Sequence, residues 1–367
     1  MPLKTVSGKH ADPRKGRGAG INPEGRFEKI GREAFDDGWE RIEEDLPPLQ
    51  THVTVERVKS IISRNDSPDV PFEQSINPYQ GCEHGCIYCY ARPSHAYRNL
   101  SPGIDFETRL FAKVNAAETL REELSRPGYR CKMISLGANT DPYQPVERKL
   151  RITRAILEVC AEFSQPVGIV TKSAMVERDI DLLAPMAEKR LASVYISCNN
   201  LDHDLARRLE PRCSAPARRL QAMRALSDAG IPVGVLVAPV IPFLTDQQIE
   251  PMLEAAWAHG ARGAGYVLMR LPYEVKDIFR EWLERHYPLK AKHVMSRVHQ
   301  MRGGRDNDPQ FGSRMSGQGE LARLLEQRFE KACERLGFSA GNRLSSLDTT
   351  HFRAPPQVGQ LSLFDSA

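Results

Sequence analysis

Residues 132–163 read KMISLGANTDPYQPVERKLRITRAILEVCAEF. The first seven form a short, mostly apolar run, the pattern of a strand buried on both faces. The next nine are polar and carry Asp141-Pro142 and Gln144-Pro145, which is turn chemistry. From Arg151 onward, Ile152, Ile156, Val159 and Phe163 fall on one helical face. Strand, polar strand end and helix make one βα unit, and the unit repeats. Further strands are read at 167–171, 192–198, 233–240 and 264–271, and helices at 176–187, 217–229, 246–259 and 276–286. Gly230 is placed to stop the helix before it. Repeated β-then-α specifies a parallel sheet with helical crossovers. About six units are present, short of the eight of a full barrel. The expected class is α/β, a partial (β/α)6 barrel over 72–290. An N-terminal extension (26–71) precedes it, and an Arg/Gly-rich loop and helix (291–340) and a flexible tail (341–367) follow. In such folds chemistry sits at the carboxyl ends of the strands.

The chain has 367 residues, a formal net charge of +4, 41% hydrophobic residues and 8 cysteines. That composition excludes fibrous and wholly disordered classes. The longest apolar run, 231–244, carries Pro232, Pro239 and Pro242 and is too short for a bilayer, so no membrane partner is expected. No apolar stretch follows the basic N-terminal residues. No signal peptide is therefore expected, and the expected location is cytoplasmic. Thiols stay reduced there, so the cysteines are expected as metal ligands, reactive thiols or core residues. Residues 1–25 are polar, glycine-bearing and basic, and are expected as a mobile arm. Residues 51–62 alternate weakly and read as a strand or short hairpin.

Upstream of the first quoted unit the chain reads Asn77-Pro78-Tyr79-Gln80-Gly81-Cys82-Glu83-His84-Gly85-Cys86-Ile87-Tyr88-Cys89-Tyr90. Three cysteines at C-x3-C-x2-C offer three soft thiolates on one polar loop. Such ligands select zinc or iron–sulfur. A closed zinc site wants four protein ligands, and His84 or His95 is the candidate fourth. An iron–sulfur cluster on three cysteines leaves one iron open to bind something else.

The spacing, the aromatic Tyr88 before the third cysteine and the place after the first barrel strand resemble the radical S-adenosylmethionine (SAM) superfamily. The strand ends narrow the likeness. Thr140-Asp141-Pro142-Tyr143-Gln144-Pro145 with Glu147, then Thr171-Lys172-Ser173, then Leu209-Glu210-Pro211-Arg212 resemble the spore photoproduct lyase-like branch, whose members are described as DNA repair photolyases. The resemblance implies a 4Fe–4S cluster on Cys82, Cys86 and Cys89, with SAM chelated at the open iron. It implies reductive cleavage of SAM to a 5′-deoxyadenosyl radical, with electrons from a ferredoxin or flavodoxin. It also implies that Lys172 pairs with the SAM carboxylate and that Thr140 and Ser197 contact methionine or ribose. Glu147 or Asp141 would serve the amino group or fix the loop, Tyr88 would flank the adenine, and Arg212 is a further cofactor candidate. One departure stands out. The branch carries a hydrogen-donating cysteine near the position of Ala138, which has no thiol. Cys198 is a candidate substitute, against the plainer reading of a small buried residue. Cys213 lies in a loop and stays open.

Two basic groups suit phosphates: Arg297, Arg302, Arg305 and Arg314, and Arg207, Arg208, Arg212, Arg218 and Arg219. A solvated charged face is the ordinary alternative. The last residues include Gln360-Leu361-Ser362-Leu363-Phe364, which resembles the bacterial sliding-clamp binding peptide, an apolar anchor on a polar tether. The expected function is radical SAM chemistry on nucleic acid, with recruitment by the clamp. RNA, a peptide or a small molecule is the alternative substrate. A zinc-bound nucleic-acid-binding module without catalysis is the alternative class.

Overall fold

The computed structural model describes residues 16–27, 49–339 and 347–354. Six parallel strands lie side by side in chain order: β1 (Gln74–Ile76), β2 (Ile134–Leu136), β3 (Val167–Thr171), β4 (Ala192–Ser197), β5 (Val233–Val240) and β6 (Gly263–Leu268). Ser63–Arg64 extends the sheet beyond β1 as an antiparallel edge. This is the expected partial barrel, with β6 and Ser63–Arg64 as its two edges. The strands read as unbroken apolar runs because helices cover them. Ile134, Leu136, Val167, Ile169, Val194, Ile196, Val235 and Val237 are all fully buried.

The crossover helices follow the expected periodicity. Ile152–Glu162 buries Ile152, Ile156 and Val159, and Pro216–Asp228 opens on a proline at its first turn. Two expected helices are subdivided. A 3-10 turn, Ala174–Asp179, precedes Ile180–Glu188, and another, Asp246–Gln248, precedes Ile249–Ala258. The helix Pro288–Gln300 was not legible, since Val294 and Val298 are its only buried positions. With Val275–His286 it forms a second apolar body around Phe279, Trp282 and Leu283, which packs on Ile87 of the cysteine loop.

Residues 51–62 do form a strand, but not a hairpin. His52–Glu56 pairs in parallel with Arg109–Lys113, which pairs antiparallel with Tyr79–Gln80. This small second sheet sits beside the cysteine loop. No helix among the described residues is long and apolar enough to cross a membrane.

Both termini depart from expectation where they are described. Arg17–Gly20 of the expected mobile arm is buried. Its Arg17 guanidinium donates to the carbonyls of Glu107 (2.8 Å) and Leu49 (2.7 Å). Gly18 and Ala19 donate their N–H groups to the Glu107 carboxylate, each at 2.9 Å. A polar segment packs here because its donors meet a buried carboxylate rather than water. Residues 347–354 of the expected flexible tail also dock. Phe352 stacks near Tyr129 at 5.2 Å, and Asp348 pairs with Arg190 at 2.6 Å. Arg190 precedes β4, so this contact lies at the amino ends of the strands. Residues 360–364 lie outside the described residues.

Gly18 touches the cysteine loop so closely that an added Cβ would collide with the Gly85 carbonyl oxygen and stand 2.9 Å from Ile87. Gly18→Ala should therefore loosen the N-terminal segment. Limited trypsin digestion is expected to cut after Arg17 far faster in the variant than in the wild type. Equal rates would show that the segment is not held by this contact.

Candidate functional site

The cysteine loop leaves β1 through Tyr79–Gln80 and coils with almost no ladder bonding of its own. Gly81 (φ +79°) and Gly85 (φ +69°) let it turn, and a Cβ at either would stand 2.8 Å from Leu110 or from the Glu107 carboxylate. The loop is held from outside on three sides.

The first brace is the strand-end segment after β2. Gln144 accepts from Glu83 N–H (2.9 Å) and donates to the Gly81 carbonyl (3.1 Å). Thr140 donates to the Tyr79 carbonyl at 2.7 Å. Asp141 accepts from Lys172 N–H and the Thr171 hydroxyl, both at 2.7 Å, and pairs with His84 at 3.3 Å. Burial alone would raise the Asp141 carboxyl, but His84 and these donors hold it down at about 2. The second brace follows β4. The Leu209 carbonyl accepts from Ile87 N–H (3.1 Å), Arg212 N–H donates to the His84 carbonyl (3.2 Å), and the Arg212 side chain pairs with Glu83 at 3.3 Å. The third is a buried ion pair, Arg92–Glu107, at 2.5 Å. Arg92 also donates to the carbonyls of Cys86 (2.9 Å), Pro102 (3.1 Å) and Gly103 (2.8 Å). Glu107 additionally receives Gly18 and Ala19, so neither charge is left unsatisfied.

Between the braces lie the thiols. Cys82 and Cys86 are buried and Cys89 is half-buried. Burial pushes the Cys89 thiol up to about 12, and the charges of Cys86 and Cys82 add to it. Cys213 places its sulfur 3.6 Å from that of Cys86. That contact, with Lys172 and His84, lowers the Cys86 thiol against burial and Glu210. Tyr88 donates to Glu210, which also pairs with fully buried Arg219. The Lys172 ammonium lies 5.9 Å from the Tyr88 ring centroid. Burial would lower it, but Cys86, Glu210 and Cys213 keep it above its ordinary value. None of the described hydrogen bonds engages this ammonium.

Three thiols on one loop are a donor set that fits an iron–sulfur cluster, which would meet each thiolate at a different iron. Of the two histidine candidates, His95 is turned toward the Arg109 carbonyl (2.9 Å), and burial pushes it down to about 4. His84 lies between Asp141 and Cys82. An ammonium close to Cys86 and Cys213, engaged by none of the described hydrogen bonds, also suits an anionic cluster and a ligand carboxylate.

Several expected cofactor contacts prove to be framework. Glu147 is fully buried, receives Tyr79 OH and the N–H of Thr153 (3.0 Å), and pairs with Arg178 at 2.8 Å. Its carboxylate is fully engaged within the framework, and of the two residues expected to serve the SAM amino group or fix the loop, Asp141 is the one that pairs with His84 of the cysteine loop. Thr140 and Arg212 are likewise engaged with the loop backbone or Glu83. Ser197 is buried with its hydroxyl on the Ala238 carbonyl at 3.3 Å. Cys198 is 1% exposed and bonded to the Asn200 carbonyl, in keeping with the core reading. Sequence reasoning missed Glu107, Arg92, Gln144, Glu210 and Arg17. Gln144 and Glu210 stood inside quoted motifs, whereas Glu107 had no local signal.

The basic groups resolve into staples. Arg302 is 1% exposed and spends its guanidinium on the carbonyls of Leu268, Met269, Ser313 and Arg314. Arg314 pairs with Asp69, Arg218 with Glu177 and Arg219 with Glu210. The arginine-rich loop is thereby tied over the end of β6.

Breaking the buried pair should cost far more than breaking an exposed one. Glu107→Ala leaves Arg92 buried and unpaired and should cost about 3–5 kcal/mol. Glu177→Ala, at the more exposed Arg218 pair, should cost less than about 1 kcal/mol. Urea unfolding midpoints check the contrast, and equal losses would refute the role given to Glu107.

The comparisons with known proteins accord with this site. The Radical SAM superfamily model matches residues 76–256. An uncharacterised protein of Mycobacterium tuberculosis is 38% identical over 221 residues, which cover 60% of this chain and 65% of that protein. One of Methanocaldococcus jannaschii is 30% identical over 173 residues, 47% of this chain and 61% of that protein. The match thus spans less than two thirds of these relatives' length. Among solved structures, a spore photoproduct lyase mutant aligns with a TM-score of 0.54 at 16% identity, over 77% of this chain and 79% of that one. The same lyase complexed with dinucleoside spore photoproduct gives 0.55 over the same shares, again at 16% identity. At that identity the likeness is one of fold. Residues 76–256 thus match the radical SAM superfamily, whose members work with S-adenosylmethionine and an iron–sulfur cluster.

Proposed function

We propose that the chain is a radical SAM enzyme that holds a 4Fe–4S cluster on Cys82, Cys86 and Cys89 and acts on nucleic acid in a repair-type reaction. The observation that carries the cofactor part is one braced loop holding Cys82, Cys86 and Cys89 as free thiols, with the Lys172 ammonium over the Tyr88 ring of the same loop and engaged by none of the described hydrogen bonds. When bound, the cluster and SAM supply reductive sulfonium cleavage and hydrogen-atom abstraction. The chain's own residues do the rest. Lys172 offers its charge to the SAM carboxylate. Glu210 fixes Tyr88 through its hydroxyl and balances the charges of Arg219 and Lys172. Asp141 positions the Lys172 backbone, and Gln144 with Arg92 holds the loop in register. The sheet and the buried braces exclude water from the thiols. A ferredoxin or flavodoxin-type protein is the electron donor in this reading.

Support for a nucleic-acid substrate is the shared fold with spore photoproduct lyase, a solved form of which is complexed with dinucleoside spore photoproduct. The clamp-like residues Gln360, Leu361, Ser362, Leu363 and Phe364 add to it. The docked segment 347–354 ends at the amino-terminal side of the barrel, away from the cysteine loop.

Anaerobic reconstitution tests the cofactor assignment. Cys86→Ala should lose iron and 5′-deoxyadenosine release together. Lys172→Ala should keep its iron yet bind SAM about tenfold more weakly, as expected for a lost charge-assisted contact. Unchanged SAM affinity in Lys172→Ala would remove that residue from the site.

Recruitment is tested separately, by surface plasmon resonance on a bacterial sliding clamp. Deleting residues 360–364 should abolish binding by the full chain. Persistent binding would mean that the tail is not the anchor.

A further inference from the structure

Arg270 follows β6 directly, at the carboxyl end of the barrel, where the cysteine loop also lies. Its setting differs from that of every arginine in the basic groups described above. Its Nε is buried and without a hydrogen-bond partner. Its Nη1 meets only the thioether sulfur of Met315, at 3.4 Å, which is a weak acceptor. Met315 itself is fixed, because its carbonyl accepts from Leu268 N–H at 2.9 Å and Arg302 staples the same loop to Leu268 and Met269. The nearest arginine, Arg314, is already committed to Asp69 and Ser67. A rigid frame thus presents a partly desolvated guanidinium that pairs directly with no described carboxylate, although Asp69 and Asp308 act on it from farther away. Leaving such a donor unmade is costly unless a ligand completes it.

Its position relative to the cysteines indicates which ligand. Tyr90 is half exposed, next in chain to Cys89, and its hydroxyl donates to the Ala138 carbonyl at the end of β2. Lys172 follows β3, in the middle of the sheet, whereas Arg270 follows β6, its edge strand. Arg270 thus stands three strands from the lysine assigned to SAM, and an anion bound there is assigned to the substrate.

We propose that Arg270 is the phosphate-binding residue of the substrate site and receives a backbone phosphodiester of the nucleic acid that enters at the end of β6. The fork of a guanidinium matches two phosphate oxygens, and no described carboxylate pairs with it directly. The inference rests on the nucleic-acid reading above and assigns the group that would recognise the backbone.

The test measures binding of a fluorescein-labelled single-stranded hexathymidylate to the full chain by anisotropy, across a salt series. Arg270→Gln should weaken binding about tenfold and reduce the slope of log K against log salt by about one. Arg270→Lys should keep the slope. An otherwise identical methylphosphonate oligomer, which lacks the charge, should bind wild type and Arg270→Gln alike. Thermal melting by circular dichroism should show both variants folded. Wild-type binding that Arg270→Gln leaves unchanged would overturn the assignment while sparing the nucleic-acid reading. No binding of the oligomer by wild type would overturn both. A fall in SAM affinity in Arg270→Gln, or equal Arg270 dependence for hexaglutamate, would also overturn it, the first in favour of a cofactor contact and the second in favour of a peptide site.

Discussion

The site depends on holding three thiols inward on a loop that has almost no secondary structure of its own. The Arg92–Glu107 pair meets that demand most directly. Arg92 grips the carbonyl of Cys86, while Glu107 gathers Arg92 and the N–H groups of Gly18 and Ala19. Two charges at zero exposure survive there because each is hydrogen-bonded on several sides. Backbone groups of an irregular loop must be satisfied as fully as those of a strand, and here side chains from other elements do most of it. Gln144 reaches in after β2, Leu209 and Arg212 after β4, and the N-terminal residues from the far end of the chain. The loop is therefore a junction of distant segments, and its rigidity is a property of the whole barrel.

Charge is sorted by depth around this junction. Glu210 is buried against Arg219 and Tyr88, and it offsets the cations that face the thiols. Lys172 is left with a ring face and thiols for neighbours. Farther out, the arginines of the C-terminal loop are mostly consumed by carbonyls and carboxylates. Arg302 is the extreme case, a guanidinium used wholly as a bracket for four carbonyls, and burial among them pulls it down to about 10. A count of basic residues thus overstated the cationic surface. What matters is which guanidinium lacks an acceptor, and that is a question of geometry.

The legible parts of the fold were those with strong local periodicity. The buried runs at β2 to β6 and the helix Ile152–Glu162 were evident, because a strand covered by helices and an amphipathic crossover leave distinct patterns. Pro288–Gln300 buries too narrow a stripe to show. Residues 17–20 looked like a loose arm because their stability comes from Glu107, some ninety positions away. The pairing of His52–Glu56 with Arg109–Lys113 was hidden for the same reason. Within the site, the C-x3-C-x2-C spacing marked the thiols, and Lys172 stood out as a lone cation at a strand end. The Thr140-to-Glu147 motif was also visible, and of the tasks open to it the structure shows the bracing of the loop. Polar residues at strand ends can face a ligand or brace a neighbouring loop, and composition does not distinguish the two.

The sequence by itself determined the α/β rhythm, the number of strands and the three cysteines of the cluster loop. Each of these is written in spacing over fewer than about twenty residues, within reach of local sterics and burial. Only the tertiary structure decided that Glu147 is framework, that Arg302 is a staple and that the Arg270 Nε is left without an acceptor. Those outcomes turn on which donor meets which acceptor across large sequence separations, and a desolvated polar group has its cost set by that meeting rather than by its neighbours in the chain.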